Sequence, residues 1–210
     1  MKLLQSSVSL AWSPTVSERD LGFVAHFTRT LVGSPLENDS CKAVTVAVNC
    51  YKRKHLSVFE FADLVFDVEC PIFIARQLMR HRNGTFMEKS LRCLSPSYEA
   101  CQVKASYTEP ISAEDDYVEA YRSAVDLYDQ LVAGGERKEM ARAVLPLSTP
   151  TEFLWRISLR SLFNVFEQRL HPSAQRETRE VVKKMYEITD EYYPNIMRAW
   201  SLEHGDMAIK

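Results

Sequence analysis

One ten-residue stretch restricts the fold of this chain more than any other. Residues 61–70, FADLVFDVEC, alternate apolar side chains with carboxylates, which is the period-two pattern of a strand with one buried face. The apolar face consists of Ala62, Leu64, Phe66, Val68 and Cys70, and Asp63, Asp67 and Glu69 fall mostly on the other face. Pro71 then suits the first position of a helix, where its missing N–H costs nothing. We therefore predict a strand that leads directly into a helix.

Helical patterns dominate the rest of the chain. They predict helices over residues 18–32, 41–54, 159–170 and 172–192. Another helix is predicted to begin at Ser112, a capping residue followed by acidic residues, and to run to Gly134. We expect Pro172 to open the last predicted helix and Pro194 to stop it.

A second strand is predicted at residues 151–158, where Phe153, Trp155 and Ile157 share one face. One or two strands among many helices, without a repeated strand–helix alternation, indicate the α+β class. We expect helices packed around a small, mostly antiparallel sheet, in a single domain that covers residues 1–210.

Composition and charge limit the possible partners and location. A chain of 210 residues that is 46% hydrophobic can bury a core, and its net charge of −2 argues against a nucleic-acid coat or a polybasic membrane binder. Five widely spaced cysteines without a Cys-x-x-Cys pair indicate reduced thiols, with neither a disulfide framework nor a metal site. No signal peptide and no apolar stretch of about 18 residues is evident. We expect a soluble, cytoplasmic protein.

Positive charge is concentrated in two segments. Residues 76–93, RQLMRHRNGTFMEKSLRC, carry five positive charges and one negative charge, and residues 156–179 carry five arginines and two glutamates. Arginine is favoured where a planar donor must hold a phosphate or a pair of carbonyl groups. The two segments could therefore converge on one small anionic ligand.

Simpler interpretations remain open for several of these residues. Arg176 and Arg179 fit the solvated face of a helix. His55 could be a surface or capping histidine, and Asn164 could be a satisfied polar residue in the core. Arg80 and its two neighbours are harder to explain in this way, because they lie where an apolar helix enters a glycine-containing turn.

Several common ligand-binding and catalytic motifs are absent from the sequence. It contains no dinucleotide or triphosphate loop, no serine hydrolase elbow and no zinc protease motif. Arg80-His81-Arg82 followed by seven residues and Ser90, however, is similar to the defining motif of the flavin-dependent thymidylate synthases. The segments HLSVFE, PIFIARQLMRHR, ARAVLPLSTPTEF, LRSLFNVFEQRL and AQRETRE resemble further blocks of this family in order and spacing. The resemblance covers roughly residues 50–192.

The resemblance implies a flavin site at matching positions. Arg80, His81 and Arg82 would belong to the site that holds FAD. The other residues implied for this site are His55, Ser57, Glu88, Ser158, Leu159, Arg160 and Asn164.

The resemblance also implies a site for deoxyuridine monophosphate, dUMP. Arg169 would lie against the uracil ring, favour its enolate-like form and make C5 a better nucleophile. Arg169, Ser90 and Arg80 are the implied catalytic residues, and all three would contact the nucleotide. The remaining implied nucleotide contacts are Gln77, Leu78, Met79, Glu88, Lys89, Leu91, Arg92 and Arg142.

The family's chemistry fits these residue types. The classical route to thymidylate uses a cysteine in a Pro-Cys-His context, which no cysteine here has. In the flavin route the charge of Arg169 would activate the ring, and the cofactor would supply hydride. NADPH would reduce FAD and methylenetetrahydrofolate would give the carbon. The resemblance further implies a homotetramer with shared active sites, and we expect no nucleic-acid or membrane partner.

Four positions depart from the family pattern. Phe61 and Cys93 stand where many members have His and Tyr, and Met87 and Ser158 stand where Asn is usual. Two alternatives therefore stay open. One is a flavin enzyme that quenches the one-carbon adduct with water to give a 5-hydroxymethyl nucleotide, or that uses another pyrimidine. The other is a non-catalytic relative that binds nucleotides or nucleic acid.

Overall fold

The computed structural model of the protein describes residues 6–12, 14–27, 40–92 and 114–205. The helices are α1 (Glu18–Phe27), α2 (Ser40–Lys52), α3 (Ile72–Leu78), α4 (Glu114–Ala133), α5 (Lys138–Ala141), α6 (Leu159–Arg169), α7 (Arg176–Tyr192) and α8 (Pro194–His204). Short 3-10 helices cover Leu56–Phe61 and Arg142–Val144. The strands are β1 (Ser7–Trp12), β2 (Asp63–Pro71), β3 (Gly84–Glu88) and β4 (Pro150–Ser158).

The four strands form one antiparallel sheet in the order β1-β2-β4-β3. The predicted apolar face of β2 is confirmed, because Leu64, Phe66 and Val68 are fully buried there. Phe153 and Trp155 are buried on β4 in the same alternating pattern. The predicted α+β class, with helices around a small antiparallel sheet in a single domain, is confirmed.

Within this domain the chain forms two compact units. Of the described residues, the first contains 6–7, 68–80, 86–92 and 114–154. In it, α4 packs against α5 and against the 3-10 helix that follows α5. The second contains the described residues 8–12, 14–27, 40–67, 81–85 and 155–205.

The second unit is built from packed helices with an aromatic core. Helix α1 packs on α2, α2 contacts α8, and α7 contacts both α6 and α8. The rings of Phe166, Tyr186 and Trp200 lie within 5.4–5.9 Å of one another, in edge-on or tilted contacts that favour aromatic pairs. This cluster holds Trp200 in the interior, where it is fully buried.

The buried carboxylate of Glu18 links the start of α1 to the start of α8. Glu18, in the first turn of α1, is only 7% exposed. Its carboxylate accepts hydrogen bonds of 2.8 Å from the backbone N–H of Ile196 and from the side-chain amide of Asn195. The Tyr193 hydroxyl also donates to the Val16 carbonyl oxygen at 2.7 Å. Glu18 therefore satisfies an N–H in the first turn of α8 that has no partner within its own helix.

Replacing Glu18 with alanine is expected to lower the free energy of unfolding by about 2 kcal/mol, because the buried Ile196 N–H would lose its partner. Urea unfolding followed by circular dichroism measures this difference. The control is Glu187→Ala at an exposed position of α7, which should change stability by less than about 0.5 kcal/mol. Coincident unfolding curves for Glu18→Ala and the unmodified protein would contradict the assigned role.

Three elements differ from the predictions. The glycine-containing turn was predicted to cover residues 81–86, but residues 84–86 belong to β3 because this segment pairs with β4. Pro172 does not open α7: the Ala174 N–H donates to the His171 carbonyl at 2.9 Å, which closes a separate turn before the helix. Pro194 follows the end of α7 as predicted, but it also opens α8, where proline suits the first helical position.

The remaining secondary-structure predictions can be compared with the structure only where residues are described. The strand β1 was not predicted, whereas α4 ends at Ala133, just before Gly134, as expected. Residues 28–32 of the first predicted helix and Ser112 lie outside the described residues. Over the ranges that the structure describes, every helix is too short or too polar to cross a membrane.

Candidate active site

Two residues of the predicted active site contact each other. Arg169 is the last residue of α6, and His81 follows α3 in the segment that leads into β3. The Nε–H of Arg169 donates a hydrogen bond to Nε2 of His81 at 3.0 Å, and both side chains are half-buried. Burial and the adjacent guanidinium of Arg169 lower the pKa of His81 to about 4. At neutral pH the imidazole is therefore uncharged, with its proton on Nδ1 and an acceptor at Nε2.

The position of His81 depends on the packing of β4. The indole of Trp155 is fully buried, and its ring lies 6.3 Å from the imidazole of His81, centroid to centroid. Strand β3 begins beside the same indole at Gly84. A Cβ at Gly84 would lie 2.4 Å from Trp155 Nε1 and 2.9 Å from the Arg156 carbonyl oxygen, so this close approach requires glycine.

The second unit contains a pocket of about 290 Å³ that includes two residues predicted to bind flavin, Arg160 and Asn164. Its other lining residues are Tyr51, Lys54, Leu56, Asn83, Ser161, Phe163, Glu167, Trp200 and His204. The rings of Trp200 and His204 stack with 4.5 Å between their centroids. The Nε1 donor of Trp200 is buried and has no hydrogen-bond partner among the described residues. The pocket therefore offers aromatic surfaces together with polar donors.

The start of α6 carries three predicted flavin residues, and each also has a structural contact. The Ser158 hydroxyl caps the helix by accepting a hydrogen bond from the Ser161 N–H at 3.3 Å. Leu159 is fully buried, so a ligand could reach only its backbone. Arg160 forms an ion pair with Glu60.

Three further predicted flavin residues of the second unit, His55, Ser57 and Arg82, are exposed. They are not among the residues that line the 290 Å³ pocket. Two of the departures from the family pattern, Phe61 and Met87, are also exposed, by 64% and 72%. A further departure, Cys93, lies outside the described residues.

The first unit contains a larger pocket, of about 460 Å³, where chain segments distant in sequence meet. Six residues predicted to bind the nucleotide line it: Met79, Glu88, Lys89, Ser90, Leu91 and Arg142. Its remaining lining residues are Ile72, Ala75, Arg76 and Thr151. The structure therefore brings the end of β3 together with α3 and with the 3-10 helix that begins at Arg142.

Hydrogen bonds hold the acidic and hydroxyl groups of this pocket. The Thr151 hydroxyl donates to Oε1 of Glu88 at 2.7 Å. The Ser90 hydroxyl accepts from the Arg92 backbone N–H at 3.2 Å, and Lys89 forms an ion pair with Glu152. These contacts orient the Glu88 carboxylate and the Ser90 hydroxyl before any ligand arrives.

Five predicted nucleotide residues do not line this pocket: Gln77, Leu78, Arg80, Arg92 and Arg169. Leu78 is fully buried, so only its backbone could meet a ligand. Arg80 is exposed in the turn after α3, and Arg92 binds Glu139 at 3.1 Å. Arg169 belongs to the second unit and is described above with His81.

Two polar residues of this pocket, Arg76 and Thr151, were not predicted, although the sequence carries a signal for each. Arg76 lies one helical turn before Arg80 and shares its surface, so the charge cluster pointed to it. Thr151 lies on the same face of β4 as Phe153 and is buried like it. A polar residue on an otherwise apolar strand face is the signal that would have identified it.

Comparisons with known proteins agree with the sequence motifs. The model of the family described as "Thymidylate synthase complementing protein", Thy1, matches residues 16–195. A flavin-dependent thymidylate synthase of Thermosipho melanesiensis is 32% identical over 168 residues, 72% of this chain and 71% of that protein. Another from Aquifex aeolicus is 37% identical over 139 residues, 59% of this chain, but this match spans only 44% of that protein.

A solved structure shows the same fold. It is described as the UMP/dUMP methylase PolB of Streptomyces cacaoi bound with 5-Br dUMP, and it superposes with a TM-score of 0.78 over 94% of this chain and 95% of PolB. The two sequences are 24% identical. From the family model and the relatives together, the chain belongs to the Thy1 family of flavin-dependent thymidylate synthases.

Proposed function

We propose that this protein is a flavin-dependent thymidylate synthase that methylates dUMP at C5. Methylenetetrahydrofolate would donate the carbon, and NADPH would reduce the FAD. The observation that carries this proposal is the 460 Å³ pocket, where six residues implied by the family resemblance meet although they come from separate segments of the chain. The proposed activity rests on this pocket and on membership of the family.

The 460 Å³ pocket suits a nucleotide monophosphate. Arg76, Lys89 and Arg142 supply cationic donors, which make strong charge-assisted hydrogen bonds to phosphate oxygens. The Ser90 hydroxyl can donate to a further phosphate oxygen. The Glu88 carboxylate, held by Thr151, can accept from a sugar hydroxyl or from an N–H of the base.

The residues of the 290 Å³ pocket fit a flavin dinucleotide by their donor chemistry. Arg160 and Asn164 offer charged and amide donors, and the buried Nε1 of Trp200 is a donor that still lacks a partner among the described residues. We propose that these residues hold FAD together with the exposed Ser57 and Arg82. When bound, the flavin supplies the hydride that completes the methyl group.

Activation of uracil is assigned to Arg169. Its guanidinium would stabilise negative charge that develops on the ring when C5 attacks the one-carbon unit. Cys70, which ends the apolar face of β2, is a poor alternative nucleophile. Cys70 is fully buried, and burial together with nearby carboxylates raises the pKa of its thiol to about 12. The homotetrameric assembly and a cytoplasmic location are part of the same proposal.

A spectroscopic assay on the purified protein tests the proposal. We expect bound flavin whose absorbance is lost on addition of NADPH under anaerobic conditions. It should return only when methylenetetrahydrofolate and dUMP are added together, with thymidylate as the product in mass spectrometry. A 5-hydroxymethyl product would instead support the hydroxymethylase, and a protein that cannot be loaded with FAD would overturn both enzymatic interpretations.

A further inference from the structure

The contact between Arg169 and His81 restricts the guanidinium of Arg169. The hydrogen bond uses Nε–H, the donor within the side chain rather than one at its tip. Because the guanidinium is planar, an acceptor fixed at Nε also fixes the plane in which the two terminal nitrogens lie. An arginine that must meet a flat uracil ring benefits from this restriction, since less side-chain freedom is lost when the ligand binds.

His81 is suited to the role of a fixed acceptor. Its imidazole lies beside the fully buried indole of Trp155, and the approach of β3 at Gly84 depends on the same indole. The imidazole is neutral at physiological pH because of its burial and its cationic neighbour. A protonated ring would have no lone pair for the Arg169 Nε–H and would place a second cation against it.

We propose that His81 is a positioning residue for the nucleotide, which acts by holding the Arg169 Nε–H at its Nε2 atom and so orients the guanidinium toward the uracil ring. This inference rests on the proposed function of Arg169. It differs from the role that the family resemblance implies for His81, which is contact with FAD. If His81 acted on FAD alone, its replacement would change flavin binding rather than the response to nucleotide.

The test compares two neutral replacements of similar size. In His81→Gln the amide oxygen can reach the position of Nε2 and accept the same hydrogen bond, whereas His81→Phe keeps a ring beside Trp155 without any acceptor. The measured quantities are the bound FAD per chain, the Kd for dUMP from calorimetry on the FAD-loaded protein, and kcat. We expect His81→Phe to raise the Kd about 10-fold, the loss typical of one hydrogen bond to a charged group. His81→Gln should stay within about 3-fold of the unmodified protein in the same measurement.

A double variant distinguishes a positioning role of His81 from a general loss of structure in the binding site. If His81 acts through Arg169, the double variant His81→Phe/Arg169→Lys should bind dUMP no more weakly than Arg169→Lys alone. Additive losses, or equal losses in His81→Phe and His81→Gln, would overturn the inference. So would a His81→Phe protein with normal dUMP binding and normal kcat.

A further variant is used if His81→Phe misfolds, and binding by the unmodified protein tests the proposed function separately. If His81→Phe does not accumulate as folded protein, His81→Asn replaces it, because the shorter amide cannot reach the position of Nε2. Unmodified protein that binds FAD and dUMP, combined with variants that behave normally, overturns the role of His81 only. Unmodified protein that binds neither ligand overturns the proposed function, and the inference with it.

Discussion

Replacing Gly22 with alanine is expected to destabilise the protein by about 3 kcal/mol or more, at the upper end of the cost of overpacking. Gly22 lies in α1, where this helix packs on α2. A Cβ at this position would lie 2.0 Å from the carbonyl oxygen of Ala43 and 2.4 Å from its carbonyl carbon. Both atoms belong to the α2 backbone, so no side-chain rotation can relieve the clash and the two helices must move apart.

Denaturant unfolding of the purified variant measures the change at Gly22. The matched control is Gly134→Ala, at the end of α4, where the nearest atom to a new Cβ is 3.3 Å away and the next is 3.5 Å away. We expect the control to stay within about 1 kcal/mol of the unmodified protein, because only small adjustments are needed. Equal stability of Gly22→Ala and the control would show that α1 and α2 are not packed as closely as described.

The second large effect is a loss of kcat, which we expect for Arg169→Lys. Lysine keeps the positive charge, but it has neither the Nε–H that binds His81 nor the paired terminal nitrogens of a guanidinium. If an oriented guanidinium activates the uracil ring, kcat for thymidylate formation should fall about 100-fold, which is the cost typical of losing one preorganised donor to a developing anion. The amount of bound FAD should be unchanged.

Steady-state kinetics with saturating folate and NADPH measure the effect of Arg169→Lys. Arg198→Lys serves as the control, because Arg198 is an exposed residue of α8 that lines neither pocket. The control should have normal kcat and normal FAD content. A normal kcat in Arg169→Lys would show that charge alone is sufficient and would contradict the assigned orientation.

The alternation of apolar and polar residues predicted those strands whose apolar face is buried in the structure. The alternation in residues 61–70 became β2, and the apolar positions around Trp155 became β4, because strand periodicity and burial agree there. Strand β3 could not be predicted in this way. Its residues Gly84–Glu88 have only half-buried and exposed side chains, so its pairing with β4 rather than its own sequence makes it a strand.

The sequence likewise predicted some residues of the candidate site but not the contacts between them. A charge cluster and a family motif identified Ser90 and Arg142, which the fold brings into one pocket. They could not identify the hydrogen bond between His81 and Arg169, because these residues are 88 positions apart and nothing local links them. Nor could charge alone distinguish Arg92, which is paired with Glu139, from Arg76, which lines the pocket.

The hydrogen bonds of Glu18 have a consequence for how the protein is made. The carboxylate at residue 18 satisfies a backbone N–H at residue 196, so α1 depends on a segment that is translated 178 residues later. Contacts this distant in sequence form late and slowly. On the ribosome, α1 therefore lacks this contact until α8 has been translated, and apolar surface of the second unit stays exposed in the meantime. We expect nascent chains stalled before α8 to bind holdase chaperones, and full-length chains to be released from them.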